Sequence, residues 1–143
     1  MSEEPKPKDA TEWVILKAEK DEQVSICRLR KTRPPAEFWT LVSIEWTYSD
    51  PDHNGFPGPD LQQDMNRFED SIVDLMEKEG VSWLALVITG LGLKEWSFYA
   101  SDFKRFIREF NELLRGEPVV PIKIVHSQDP ECQYWGKYRK HAS

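Results

Sequence analysis

The chain has 143 residues, with 19 basic and 25 acidic side chains and a formal charge of −6. That length suits one domain, and the acidic balance argues against capture of a nucleic-acid backbone, which needs a basic stripe. It fits a soluble protein, or one that meets a basic partner surface.

Residues 1–11 lack the apolar stretch of a secretory signal, and no apolar run nears the ~20 residues of a membrane span. The expected location is cytoplasmic, with no membrane partner. The Pro-, Lys- and Glu-rich start is expected to be a disordered tail over 1–11, ahead of one α+β domain over 12–140. Cys27 and Cys132 lack CxxC spacing, so zinc or thioredoxin-type chemistry has no support, and both are expected as reduced, partly buried thiols.

In chain order, residues 13–17 and 23–29 read as two short strands joined by a polar turn, an N-terminal β-hairpin. Pro34 and Pro35 break the pattern. Residues 39–48 alternate clearly: Val42, Ile44 and Trp46 share one face, while Leu41, Ser43, Glu45 and Thr47 share the other. The second face is mostly polar, which predicts a sheet covered on one side only.

Next comes a loop, WTYSDPDHNGFPGPDLQQD over residues 46–64, which is acidic, aromatic and punctuated by proline and glycine. Leu61, Met65, Phe68, Ile72 and Leu75 then recur at three- and four-residue steps, predicting a helix over 61–79. Asp60 with Gln63 suggests its N-cap, and Gly80 its stop.

The apolar run 82–89, a tight Gly90-Leu91-Gly92 turn and residues 93–99 read as a second hairpin, with Trp96 and Phe98 on one face. Ser101 or Asp102 caps a second helix over 102–115, ended by Gly116. Residues 121–126 give a last strand, and the tail from Asp129 prefers strand or turn weakly. The order βαββαβ is the split-βαβ, ferredoxin-like pattern. It implies a two-layer α+β sandwich, an antiparallel sheet with two helices on one face.

Tyr48, Asn54-Gly55-Phe56-Pro57, Phe68-Glu69-Asp70, Thr89-Gly90, Phe98-Tyr99 and Asp129-Pro130 stand in an order that resembles the DUF695 family of bacterial proteins. In that family an aromatic strand end leads to a "dnGlP"-like loop. A helix with an "lED" centre follows, then a "TG.G.rE..fY" hairpin and a late "DP.W..Y" element. The likeness covers most of residues 39–138. It departs at the end, where Asp129-Pro130 is followed by Glu131 and Cys132, and the aromatics come at Tyr134, Trp135 and Tyr138. The resemblance implies an α+β fold and carries over no catalytic residues. A looser likeness, to the regulator-of-ribonuclease-E-activity B proteins, is an analogy of size, acidity and fold.

Asp50-x-Asp52-x-Asn54-Gly55 has the first half of a calcium loop, but Leu61 stands where the bidentate glutamate should be, so no metal is assigned. His53, His126 and His141 have no metal-ligand spacing. Cys27 with His126, or Ser101 with Asp102, lies in no recognisable nucleophile motif, so no catalytic residue is assigned. The acidic pairs, Glu69-Asp70 among them, read as exposed helix faces.

The aromatic residues stand out. A partner-binding set of Trp46, Tyr48, Asp50, Asp52, His53, Phe56, Trp96 and Tyr99 would present aromatic anchors beside acids, a pattern suited to a basic protein partner. The bland alternative for these aromatics is core packing. The sequence therefore favours a non-enzymatic binding or regulatory module, of the inhibitor or immunity type, with no cofactor. The alternative is an enzyme with a carboxylate or histidine site near residues 50–60.

Overall fold

The computed structural model describes residues 12–142, apart from 21, 50 and 79. The expected tail over 1–11 and Asp50 lie outside the described residues.

Period-two alternation gives the predicted hairpin, β1 (Trp13–Lys20) and β2 (Gln23–Arg30), each longer than its apolar centre. Beyond the proline pair, β3 (Thr40–Thr47) alternates as expected and buries Val42, Ile44 and Trp46. A short 3-10 turn (Pro51–His53) leads to α1 (Pro59–Phe68). The N-cap is Gly58, not Asp60. Pro59 explains the shift: its fixed φ and missing N–H suit the first helical position. Asp60 falls in the first turn, where its charge meets the positive end of the helix dipole.

The helix is not regular to its end. A π-helical turn (Glu69–Val73) interrupts it before α2 (Asp74–Lys78), with the Asp74 N–H bonded to the Glu69 carbonyl. Gly80, at φ +74°, follows in the left-handed conformation expected of a helix stop. Strands β4 (Ser82–Gly90) and β5 (Leu93–Ala100) form the second hairpin. Leu91 and Gly92, both at positive φ, make its two-residue turn. Helix α3 (Phe103–Leu114) is capped by the Asp102 side chain, which accepts from Lys104 N at 3.0 Å. Strand β6 (Ile122–Gln128) follows.

The tail departs from expectation. It forms a helix, α4 (Gln133–Arg139), rather than a strand or turn. Asp129 organises it: its carboxylate accepts from the amides of Gln133 (2.8 Å) and Tyr134 (3.0 Å), satisfying donors that a helix start leaves free.

Among the described residues, six strands form one open sheet in the order β1-β2-β4-β5-β3-β6, every neighbour antiparallel. One face carries the main core. Val42, Ile44, Trp46, Trp96 and Phe98 from the sheet meet Met65, Phe68, Ile72 and Met76 from the first helical run and Phe106 and Phe110 from α3. The second face is not bare, as expected, but half covered. Trp135, Tyr134 and Tyr138 of α4 pack there on Cys27, Leu29, Ala85, Leu86 and Tyr99.

Candidate functional site

The acidic, aromatic loop between β3 and α1 is held down as structure. The Tyr48 hydroxyl donates to the Gly55 carbonyl at 2.7 Å, the Gly92 amide donates to the same carbonyl at 2.9 Å, and the Tyr48 amide donates to Gly92 O at 2.9 Å. The loop is thus stitched to the β4–β5 turn. Gly55 sits at φ +87°, and a Cβ there would stand 2.8 Å from Leu91 N, so the close approach requires glycine.

The proposed aromatic surface separates. Trp96 and Tyr99 are fully buried, on opposite faces of the sheet. Trp46 is 4% exposed and packs its ring edge against Phe68 at 5.7 Å. Burial removes Trp96 and Tyr99 as surface anchors, because a partner cannot reach side chains already in the core. Tyr48 and Phe56 are half-buried, and Asp52 and His53 are exposed. The imagined Cys27–His126 dyad fails as well. Cys27 lies in the cluster under α4, whereas His126 stacks on Phe103 of α3 at 3.6 Å, across the sheet.

Charges that read as ordinary helix-surface residues are instead built into the fold. Glu69 is 2% exposed. Its carboxylate accepts from Trp96 Nε1 at 3.0 Å and from the Arg28 guanidinium at 2.8 Å. Met65 and Ile72 bracket Glu69 at helical spacing, a signal in the sequence that marks it as a core position. Arg30 is buried beside the rings of Trp13 and Trp83, 4.8 and 4.2 Å from their centroids, and pairs with Glu77 and Glu12. Burial raises the Glu77 pKa above the ordinary carboxylate value, against the lowering effect of Arg30.

A second polar group pins α4. Glu95, 8% exposed, accepts from the Tyr134 hydroxyl at 2.5 Å and from Ser97 Oγ at 2.6 Å. The Ser97 hydroxyl hydrogen is engaged with Glu95, so Ser43 donates to the Ser97 oxygen across 2.8 Å. Burial and the bond to Glu95 raise the Tyr134 pKa. The Tyr99 hydroxyl donates to Asp129 at 2.6 Å and receives the Trp135 amide at 3.2 Å. Burial pushes the Cys27 thiol up to about 12, with Glu95 adding to it, so Cys27 is no ready nucleophile.

A concave opening lies elsewhere, on the helical face. A groove of about 340 Å³ is bounded by Trp46, by Leu61 and Phe68 of α1, by Leu114 at the end of α3, and by residues 117–121. Its floor and walls are mostly apolar. Asp64, Arg67 and Glu117 stand on its lining, and Arg67 reaches Glu117 at 4.0 Å. Val119 beside it is fully exposed. Of the seven described residues among those expected to bind a partner, only Trp46 lines this groove; Asp52, His53 and the neighbouring Asp60 do not.

The family model for DUF695 matches residues 12–140, nearly the whole described chain. The chain belongs to the DUF695 family. It is a family of unknown function, so membership brings no reaction and no partner with it. The resemblance carried by the ordered motifs is therefore correct, and the structure gives those motifs physical roles. The Asn54–Pro57 loop docks on a turn, Glu69 is the buried carboxylate, Tyr99 and Asp129 bond each other, and Trp135 and Tyr138 seat α4. No curated protein and no solved structure matches the chain, and the likeness to the regulator-of-ribonuclease-E-activity B proteins gains no support. No helix of the described residues is long and apolar enough to cross a membrane.

Proposed function

We propose that this DUF695 chain is a non-catalytic cytoplasmic module that binds and regulates another protein through the groove between α1, Trp46 and residues 117–121. The observation that carries the reading is the groove itself: an open, mostly apolar hollow lined by the buried Trp46 and carrying the charges of Asp64, Arg67 and Glu117. Apolar hollows with a few placed charges are what ligands and anchor side chains use. The charged residues with chemical potential, Glu69, Arg28, Arg30 and Glu95, are occupied in holding the layers together.

The scaffold that presents the groove is, in this reading, a ferredoxin-like unit of β3 to β6 extended by the β1–β2 hairpin. The order β4-β5-β3-β6 supports it, since each helical connection joins two strands with one strand between them, the split βαβ. The test uses Leu61→Arg, which fills the groove with a charged side chain at a half-buried surface position. A partner captured from source cells by the wild type, and re-bound by the purified pair, is expected to be lost with Leu61→Arg while the melting curve is kept. Retention of that partner by a folded Leu61→Arg protein overturns the reading.

A further inference from the structure

The groove opens at the start of an unguarded sheet edge. Val120 and Pro121 line it, and the next residue, Ile122, begins β6. Strand β6 is last in the sheet order, so β3 pairs with one side of it and no described strand pairs with the other. The register tells which amides face out. Asp129 N donates to Trp39 O at 2.7 Å, and the β3–β6 ladder pairs Thr40 with Gln128, Val42 with His126 and Ile44 with Ile124. In an antiparallel pair the bonded positions alternate. Position 129 turns to β3, so 127, 125 and 123 do too, and Ile124, His126 and Gln128 aim their N–H and C=O groups away from the sheet.

Natural edges are usually blunted by charges, prolines or bulges. Within Ile122–Gln128 there is one charged residue, Lys123, and no proline. The opposite edge, β1, interleaves Lys17 and Glu19 along its length.

We infer that a partner protein adds an extended segment along β6 as a seventh strand and seats an apolar side chain, flanked by a basic residue, in the adjoining groove. This rests on the groove being the binding site. Main-chain bonds to Ile124, His126 and Gln128 hold such a strand, and the side-chain pocket selects it. The basic flank follows from the charges on the lining, where Asp64 and Glu117 outnumber Arg67 and Arg67 already faces Glu117, which leaves Asp64 as the acid for an incoming cation.

A second copy of the chain is the poorer occupant. Two-fold pairing of β6 with itself is antiparallel, so it lays the Gln128 end of one copy beside the Ile122 end of the other. That brings Asp129 and Glu131 toward the net acidic lining and supplies no apolar anchor.

The experiment uses the full chain and two synthetic peptides, KLKVTVTV and its reverse VTVTVKLK, because strand direction is open. Amide hydrogen exchange and NMR shifts are read with and without peptide. With one of the two peptides, exchange at Ile124, His126 and Gln128 is expected to slow by about tenfold or more, and signals of Leu61 and Val119 to move. Methylating alternate peptide nitrogens is expected to abolish the protection, a readout that needs no variant to fold. Replacing the peptide lysines by glutamate is expected to weaken binding by about tenfold.

Groove shifts with unchanged exchange along β6 overturn the added strand and leave the groove reading standing. No shift at either place with either peptide overturns both. Protection of the β6 amides in peptide-free protein, with a dimer in sedimentation, overturns the heterologous partner in favour of a second copy.

Discussion

Glu69 lies four residues after Met65 and three before Ile72, so helical spacing alone puts it on the stripe that faces the sheet. What makes a carboxylate tolerable there is the pair of donors it meets, Arg28 and Trp96 Nε1. The side chains of Glu69 and Arg28 are 3% and 19% exposed, so the pair is screened far less than a surface bridge. Glu69→Ala strands the Arg28 charge and the indole N–H together, and breaking a buried pair from one side costs about 3 kcal/mol or more. The expected result is a lower urea midpoint at unchanged slope; an unshifted midpoint would mean that Arg28 finds water freely. Gly55 gives a separate residue-scale prediction. Its φ of +87° and the 2.8 Å approach to Leu91 N leave no room for a Cβ. Gly55→Ala is expected to cost about 1–3 kcal/mol. Fluorescence-monitored denaturation checks it, and a cost near zero would show that the loop lifts off the β4–β5 turn without penalty.

Among the elements, the strands were legible because a half-buried strand must alternate, and β3 and β5 do so through Val42, Ile44, Trp46 and Trp96, Phe98. Helix α4 was not. It is seven residues long, contains Gly136, and starts after Cys132 in a left-handed conformation rather than after a serine or threonine cap. Its signal was Asp129, four and five residues ahead of the helical amides it receives, followed by Trp135 and Tyr138 at helical spacing. The groove was illegible for a different reason. Leu61 and Phe68 read as stripe residues, but the hollow exists only where α1, the end of β3 and residues 117–121 converge, a tertiary fact with no local pattern.

The same Asp129 gives the element-scale test. Burial alone would raise its pKa, but bonds from Tyr99 and from the Tyr134 and Gln133 amides outweigh that and leave it lowered. A carboxylate with a depressed folded pKa stabilises the fold above its unfolded value of about 3.9, and that contribution fades as pH falls through the folded pKa. Asp129→Asn is therefore expected to lower stability at neutral pH and to flatten the acid limb below pH about 4. Denaturation midpoints at a series of pH values measure it; a parallel acid limb in the variant would exclude the linkage.

On the scale of the whole molecule, the sheet keeps two kinds of business on two faces. The helical face holds the main core and the groove, while the other holds α4 on a polar and aromatic seat. Removing residues 129–143 leaves the first face complete and uncovers Cys27, Leu29, Leu86 and Tyr99 on the second. It also strips Glu95 of the Tyr134 hydroxyl and Tyr99 of its Asp129 acceptor. The cost is mainly apolar: the uncovered side chains meet water, while Glu95 and Tyr99 exchange their protein partners for water. The milder change Trp135→Ala carries part of the same penalty, about 3–5 kcal/mol for truncating a buried indole. The truncated chain is expected to bind a hydrophobic dye and to associate in size-exclusion chromatography, as exposed apolar patches do. Where Trp135→Ala remains folded, its groove shifts with the lysine-flanked peptide are expected to match those of the wild type, because α4 and the groove share no residue. A truncated chain that stays monomeric, dye-free and equally stable would show that α4 rests on the sheet without holding it. A groove silenced by Trp135→Ala would show instead that the two faces are coupled through β3 and β5.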